Sequence, residues 1–184
     1  MSASQQQRAA AKGPRVIIAD QADIQGSIQF GDGCIVHPGA YIAAKGGPII
    51  FGENCIIEEK ARIVNKVKGK DAQGKTIPHE MKIGSYNVFE AGSIVTSSRI
   101  GNLNEFQHKS FVDDNCRIGN ACVVGPCAKL TPGTVLADNT FVSDDGRVMV
   151  NDESTIPETR KQKVKELCVI QSISIQKYFK VRNV

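Results

Sequence analysis

The sequence predicts an all-β solenoid, a parallel β-helix of six-residue repeats finished by a C-terminal α-helix. Three observations carry this expectation. A large aliphatic residue or Phe recurs at every sixth position, a small residue stands four places after most of them, and glycine marks every third repeat. Helical packing needs a spacing of 3.6 and a plain sheet face a spacing of 2. A period of six, sustained over most of a chain, instead fits short strands separated by tight turns and stacked into coils.

Residues 1–15 stand outside the repeat. The stretch "MSASQQQRAAAKGP" has no apolar core of the signal-peptide kind and reads as a short disordered tail. The β-helix is expected over 16–152. Its rhythm begins Ile18, Ile24, Phe30, Val36, Ile42, resumes at Phe51, Ile57, Ile63, and again at Ile83, Phe89, Val95. After one step of five it runs Ile100, Phe106, Val112, Ile118, Val124, Leu130, Leu136, Val142, Val148. The small positions are Ala22, Cys34, Ala40, Cys55, Ala61, Ser93, Ser110, Cys116, Cys122, Ala128, Thr134, Thr140 and Gly146. Each lies two residues before the next large one, and residues two apart in a strand share a face, so both point inward.

Gly31, Gly52, Gly84, Gly101 and Gly119 each follow a large residue, at separations of 21, 32, 17 and 18. A unit of 18 makes three hexads one coil, hence a triangular prism with three parallel walls. The excess of three falls at "AAKGGPII" and the excess of 14 in the polar insertion 64–82. Beyond residue 152 the hexads stop. Thr155 and Glu158 have capping-box spacing with Pro157 in the first turn. A helix is expected over roughly 157–179, with Val164, Leu167, Cys168, Ile175, Tyr178 and Phe179 as its apolar stripe. Residues 153–184 thus form a C-terminal helix and tail.

Bulk composition excludes several classes. The 184 residues contain 23 basic and 19 acidic side chains, a net charge of +4 that is too mild to indicate nucleic acid. No apolar run approaches the roughly 18 residues that a membrane span requires. Without a secretory signal, the six cysteines are expected to be reduced thiols in the cytosol.

Tandem hexads of this form resemble the hexapeptide-repeat superfamily of left-handed parallel β-helices. The left hand is what the resemblance implies, against the usual right-handed crossover rule. Many members are enzymes, either acyltransferases or γ-class carbonic anhydrases, and both chemistries need histidine. This chain has His37, His79 and His108. His37 and His108 occupy positions reminiscent of anhydrase zinc ligands, but Asp113 stands where the third histidine belongs, and His37 and His108 are 71 residues apart, which is too far. The family's Arg-Gly-Asp appears as Gln25-Gly26-Ser27. Surface or structural histidines are the better reading, with no catalytic, metal or cofactor residues and no cofactor.

The cysteines follow the same logic. Cys34, Cys55, Cys116 and Cys122 fill the small inward slot, where a buried thiol packs as a small hydrophobe. Cys127 and Cys168 fall outside it. The lysines of the insertion (Lys66, Lys68, Lys70, Lys75, Lys82) read as a solvated loop, with contact to an acidic partner as the alternative.

The residue before each inward aliphatic points outward. On one wall these residues are Ile35, Ile56, Val88, Glu105, Val123 and Phe141. Such an apolar ladder marks a covered face. Its cover is either the chain's own C-terminal helix or a partner subunit, so Ile35, Ile56, Val88, Val123 and Phe141 are the candidate site residues.

The resemblance narrows on particular stretches. "IVHPGAYI" (35–42), "GENCIIEE" (52–59) and "NVFEAGS" (87–93), with the insertions between them, "IGNACVVG" (118–125) and a terminal "QKYFK" (176–180), closely resemble the family of dynactin subunit 6. The likeness covers Phe30 to about Val142 well and the tail more loosely. It implies a non-enzymatic structural subunit of the dynactin pointed-end complex, in the cytoplasm and cytoskeleton, supporting dynein-driven microtubule transport. The implied partners are a second β-helix subunit (subunit 5-like), the actin-related protein at the filament's pointed end and the other pointed-end subunits, with dynein adaptors engaged indirectly. Nucleic acid and membrane insertion are not implied. A hexapeptide-repeat acyltransferase or an anhydrase-like enzyme is the alternative.

Overall fold

The computed structural model describes residues 15–151 and 156–182. The chain winds as a parallel β-solenoid of about seven coils, each coil placing one short strand on each of three walls. The first wall stacks Ile17–Ala19, Ile35–Val36, Ile56–Ile57, Val88–Phe89, Glu105–Phe106, Val123–Val124 and Thr140–Val142. The second runs from Asp23–Gln25 through Tyr41–Ala44, Arg62–Asn65, Ile94–Val95 and Phe111–Val112 to Lys129–Leu130. The third runs from Ile28–Gln29 through Ile49–Phe51, Met81–Ile83, Arg99–Ile100 and Arg117–Ile118 to Val135–Leu136.

The hexad residues fill the prism. Seventeen of the twenty, from Ile18 to Val142, are buried in one continuous core; Ile24 and Phe30 are partly buried at its first coil. Aromatic stacking reinforces the axis: Phe89 lies 4.8 Å from Phe106 and Phe30 lies 5.0 Å from Phe51, ring centroid to ring centroid. The exception is Val148. The chain reverses at Gly146 (φ +81°), and Val148–Val150 pairs antiparallel with Thr140–Val142. Among the described residues no further coil lies beneath that strand, so Val148 is exposed rather than inward, and Gly146 is a turn residue rather than an inward one.

The five turn glycines stack on one edge of the prism. A Cβ on Gly101 would lie 2.4 Å from the Gly119 carbonyl oxygen, and one on Gly31 2.5 Å from the Gly52 carbonyl carbon. Alongside, Ser85, Asn102 and Asn120 each donate a backbone N–H to the side chain of the coil below: Asn102, Asn120 and Asp138 at 2.7–2.8 Å.

The inward slot is more than small. The thiols of Cys34, Cys55 and Cys122 donate to the carbonyls of Gly52, Gly84 and Ala137 at 3.0–3.1 Å. Between them in the stack, Asn87 and Asn104 hold the same slot. Asn87 Nδ2 donates to Gly101 O at 2.9 Å, and its Oδ1 accepts from the Asn104 N–H. These positions satisfy buried backbone groups as well as fill space. Burial pushes the Cys55, Cys116 and Cys122 thiols up, which disfavours the reactive thiolate.

Cys127, outside that slot, has a backbone role. Every non-glycine residue with positive φ among the described residues directly precedes a residue of the inward slot, and Cys127 (φ 59°) is one of them, beside Asn54, Lys60, Tyr86, Leu103, Lys109, Asn115, Ala121 and Asn139. Gly33, Gly39, Gly92 and Gly133 take the same place in other coils. A left-handed turn costs a side-chain-bearing residue roughly 1–2 kcal/mol, part of which glycine returns through the entropy of its unfolded state. Cys127→Gly, at an exposed site, is therefore expected to raise stability by about 0.5–1 kcal/mol in urea denaturation.

Candidate functional site

The outer face of the first wall is built by register. Ile35 pairs with Ile56, Ile56 with Val88, Val88 with Glu105, Glu105 with Val123 and Val123 with Phe141, so the six side chains form one ladder. The helix Ile156–Tyr178 lies along it. Ile17, Ala19, Ile35, Ile56 and Val88 form a second apolar cluster with Val164, Cys168 and Ile175 of the helix, with Tyr86, Leu167 and Val181 at its margin.

The helix runs opposite to the winding of the coils. Arg160 donates to the carbonyls of Leu103 and Ala121 at 3.0 and 2.8 Å, and Lys163 sits 3.7 Å from Glu105, the one charged rung. Cys168 then reaches Asn54 O at 3.7 Å, and Gln171 meets His37 Nε2 at 3.0 Å. Burial pushes the Cys168 thiol up to about 12. The chain finally adds Val181–Arg182 as an antiparallel strand beside Ile18 and Ala19, and Arg182 donates to Asp20 O and Ala22 O. This strand closes the first wall at its N-terminal end.

Ile35, Ile56 and Val88 therefore lie under the helix, whereas Val123 and Phe141 lie beyond that cluster and are half-buried. They line a shallow cavity of about 510 Å³ with Met149, Val150 and Arg160. The helix stripe differs from expectation at its end: Tyr178 and Phe179 are exposed, and Gln171 facing His37 takes part instead. Thr155 of the expected capping box lies outside the described residues, as does the tail up to residue 14. On the outer side of the helix, Val169, Ile170 and Ile173 are exposed.

The three histidines sit in three separate settings. His37 is bonded to Gln171, and His108 is exposed on a turn where its N–H donates to Glu90 Oε2 at 2.9 Å. His79 belongs to the insertion. Asp113, at the place of a third ligand, accepts an ion pair from Lys66 at 3.3 Å. Among the described residues no three His, Cys, Asp or Glu side chains are grouped to hold a metal ion.

The insertion folds back on the third wall. Its neck is closed by Asn65, whose Nδ2 donates to His79 O at 2.8 Å and Gly47 O at 3.0 Å. Lys66 bridges Asp113 and Asp114, both at 3.3 Å, and Lys68 donates to Asn115 at 2.7 Å. The His79 ring packs against Gly46, and both ring nitrogens are buried without a hydrogen-bond partner. Desolvation, helped by Lys68 and opposed by Asp114, holds its pKa below the ordinary 6.5. With the folded value depressed, the His79 contribution is present above pH 6.5 and is lost as pH falls through the folded value. The melting temperature is expected to fall between about pH 7.5 and 5, and His79→Leu to make that fall shallower.

No protein-family model matches the chain. Among curated proteins it is 33% identical over 148 residues to dynactin subunit 6 of Xenopus tropicalis, covering 79% of this chain and 74% of that one. It is 33% identical to the Dictyostelium discoideum protein of the same name, covering 77% and 70%, and 33% identical to that of Nematostella vectensis, covering 68% and 69%. Among solved structures, a hexapeptide transferase family protein from Anaplasma phagocytophilum superposes with a TM-score of 0.64 at 13% identity, over 88% of this chain and 92% of that one. A putative acetyltransferase from Bacillus cereus gives 0.52 at 15%, over 89% and 94%. At such identity these structures speak to the fold alone, a left-handed parallel β-helix of hexapeptide repeats. Among the described residues no helix is long and apolar enough to cross a membrane. On the sequence relationship, over most of both chains, the protein belongs to the dynactin subunit 6 family.

Proposed function

We propose that this chain is a non-catalytic interaction subunit of the dynactin complex. It acts in the cytoplasm, on the cytoskeleton, at the pointed end of the actin-related filament. There it pairs with a second β-helix subunit and supports dynein-driven transport and adaptor engagement through the assembled complex. The observation that carries this reading is the C-terminal end of the solenoid. Its last strand, Val148–Val150, exposes 59%, 57% and 59% of its three residues, next to the open strand edges of Lys129–Leu130 and Val135–Leu136. Unpaired edges with apolar side chains are templates for another chain. They suit a parallel β-helix partner, which supplies the next coil on all three walls.

The separation of the histidines into unrelated settings and the ion-paired Asp113 support a non-catalytic reading over an acyltransferase or anhydrase. The test is affinity purification of the tagged chain from cytosol, beside a Val148→Lys/Val150→Lys variant. The expected result is recovery of a second β-helix subunit and actin-related protein with the native chain, and their loss with the variant at unchanged melting temperature. A homotrimer that turns over acyl-CoA would overturn the proposal.

A further inference from the structure

The third wall carries a second surface, chemically opposite to the first. Its outward residues in three consecutive coils are Lys82, Arg99 and Arg117, and the strand register places Arg99 directly beside both of the others. Stacked strands lie about 4.8 Å apart, so three cations share a column barely two coil rises long. Like charges directly opposed across a sheet destabilise it. All three are exposed. Among the described residues, Lys82 pairs only with Glu80 of the insertion, at 2.9 Å, and neither Arg99 nor Arg117 has an acidic partner.

The insertion turns this column into a cleft. Lys68, Gly69, Ile77, His79 and Glu80 form one bank, and Lys82, Ser98 and Arg99 the other, around a volume of about 910 Å³; Arg117 stands next to Arg99 on the same wall, just outside this lining. Ile77 exposes 54% of its surface on the first bank. The cleft therefore sets the exposed Ile77 beside the cationic column, with Glu80 already engaged by Lys82.

The protein's own helix shows what fits such a wall. Along the first wall, Arg160 meets the coils of Ala121 and Leu103, Cys168 that of Asn54 and Gln171 that of His37, and Val164 and Ile175 are buried on the same face, so the wall-facing residues recur three or four apart. Residues at that interval advance about 4.5–6 Å along a helix, close to the coil spacing. An extended strand lying the same way would place same-side residues about 6.6 Å apart and lose register within three coils.

We infer that the cleft between the insertion and the third wall is a docking site for an acidic amphipathic helix of a partner protein. Glutamates or aspartates at three- and four-residue intervals meet Lys82, Arg99 and Arg117, and the neighbouring apolar stripe meets Ile77. Arginine suits this role because its planar fork takes a carboxylate through two parallel bonds.

The full chain is tested by fluorescence anisotropy with a labelled synthetic helix of about 18 residues. The peptide carries one glutamate stripe and an adjacent leucine stripe. The controls are a glutamine counterpart, a peptide of the same composition with its stripes scrambled, and vesicles of phosphatidylcholine with phosphatidylserine. The expected result is salt-sensitive binding of the striped peptide only, weakened about tenfold or more by Arg99→Glu/Arg117→Glu and less by Arg99→Gln/Arg117→Gln. Lys129→Glu, on the second wall, leaves binding unchanged. Equal binding of the scrambled peptide or of the vesicles, or no loss in variants that melt like the native chain, overturns the inference. Recovery of dynactin subunits by the same arginine variants stays at the native level, so failure here and failure of the assembly proposal are distinguishable.

Discussion

Gly101→Ala is expected to destabilise the protein by about 3 kcal/mol, at the upper end of the usual range for overpacking a filled site. The new methyl would stand 2.4 Å from Gly119 O, 2.7 Å from its carbonyl carbon and 2.7 Å from Asn120 Oδ1. Two of those atoms are backbone of the next coil, held by Gly101 N–H donating to Ile118 O at 2.9 Å and Gly119 N–H donating to Leu136 O at 3.0 Å. The coils must therefore separate, and separation here propagates into strands on either side. For a chain of this size each kcal/mol shifts the melting temperature by roughly 2–4 °C, so a drop of about 6–12 °C is expected in a thermal melt. Gly133→Ala is the matched control. It has φ +80° and nothing within 4 Å of the place a Cβ would take, so it carries only the left-handed cost, about 1 kcal/mol.

Val164→Asp is expected to release the C-terminal helix while leaving the prism folded. Val164 is 2% exposed, in the cluster with Ile35, Ile56 and Val88, where a carboxylate finds no water. The expected cost is about 3 kcal/mol, the range for a polar group buried without a partner. Most of the stability of a helix like this comes from packing one face rather than from its own propensity. Hydrogen exchange should show lost protection over residues 160–175 with hexad strands still protected, and the helical circular dichroism signal should fall. Ile170→Asp, on the exposed side of the same helix, should leave both signals unchanged.

The prism was legible in the sequence because packing volume leaves a period. A large residue at the wall centre and a small one near the corner recur wherever a coil closes, from Ile18 to Val142, and insertions do not disturb the phase. The stacked glycines were legible for the same reason, since only glycine fits between touching backbones. The left-handed turn position was not. It accepts Asn, Lys, Leu, Tyr, Ala and Cys alike, so Cys127 gives no signal of composition, only of place, one residue before the slot. Asn87 and Asn104 were missed because they break the small-residue pattern while filling its role through hydrogen bonds.

The ends were the least legible part. Val148 continues the six-residue rhythm, but the chain reverses at Gly146 and the rhythm outlasts the coil. Val181–Arg182 is two residues long, and nothing local distinguishes it from a tail; its pairing with Ile18 and Ala19 is a purely long-range event. Alternation alone marks the outward apolar residues, and of these Ile35, Ile56 and Val88 pack against the helix whereas Val123 and Phe141 lie beyond it. Which part the helix covers depends on its contacting span: the 15 steps from Arg160 to Ile175, at about 1.5 Å each, match the five strand spacings of about 4.8 Å from the Ala121 coil to Ile17. The cationic column on the third wall was visible as isolated lysines and arginines, and only the register set Lys82, Arg99 and Arg117 side by side.

Sedimentation of the tagged chain in cytosol through a sucrose gradient tests the assembly role most directly. The native chain is expected to travel with the actin-related filament in one large complex, and the Val148→Lys/Val150→Lys variant, equally folded, to remain near the top. A native chain found only as a free monomer or small homo-oligomer, or a variant that still travels with the filament, would contradict the account.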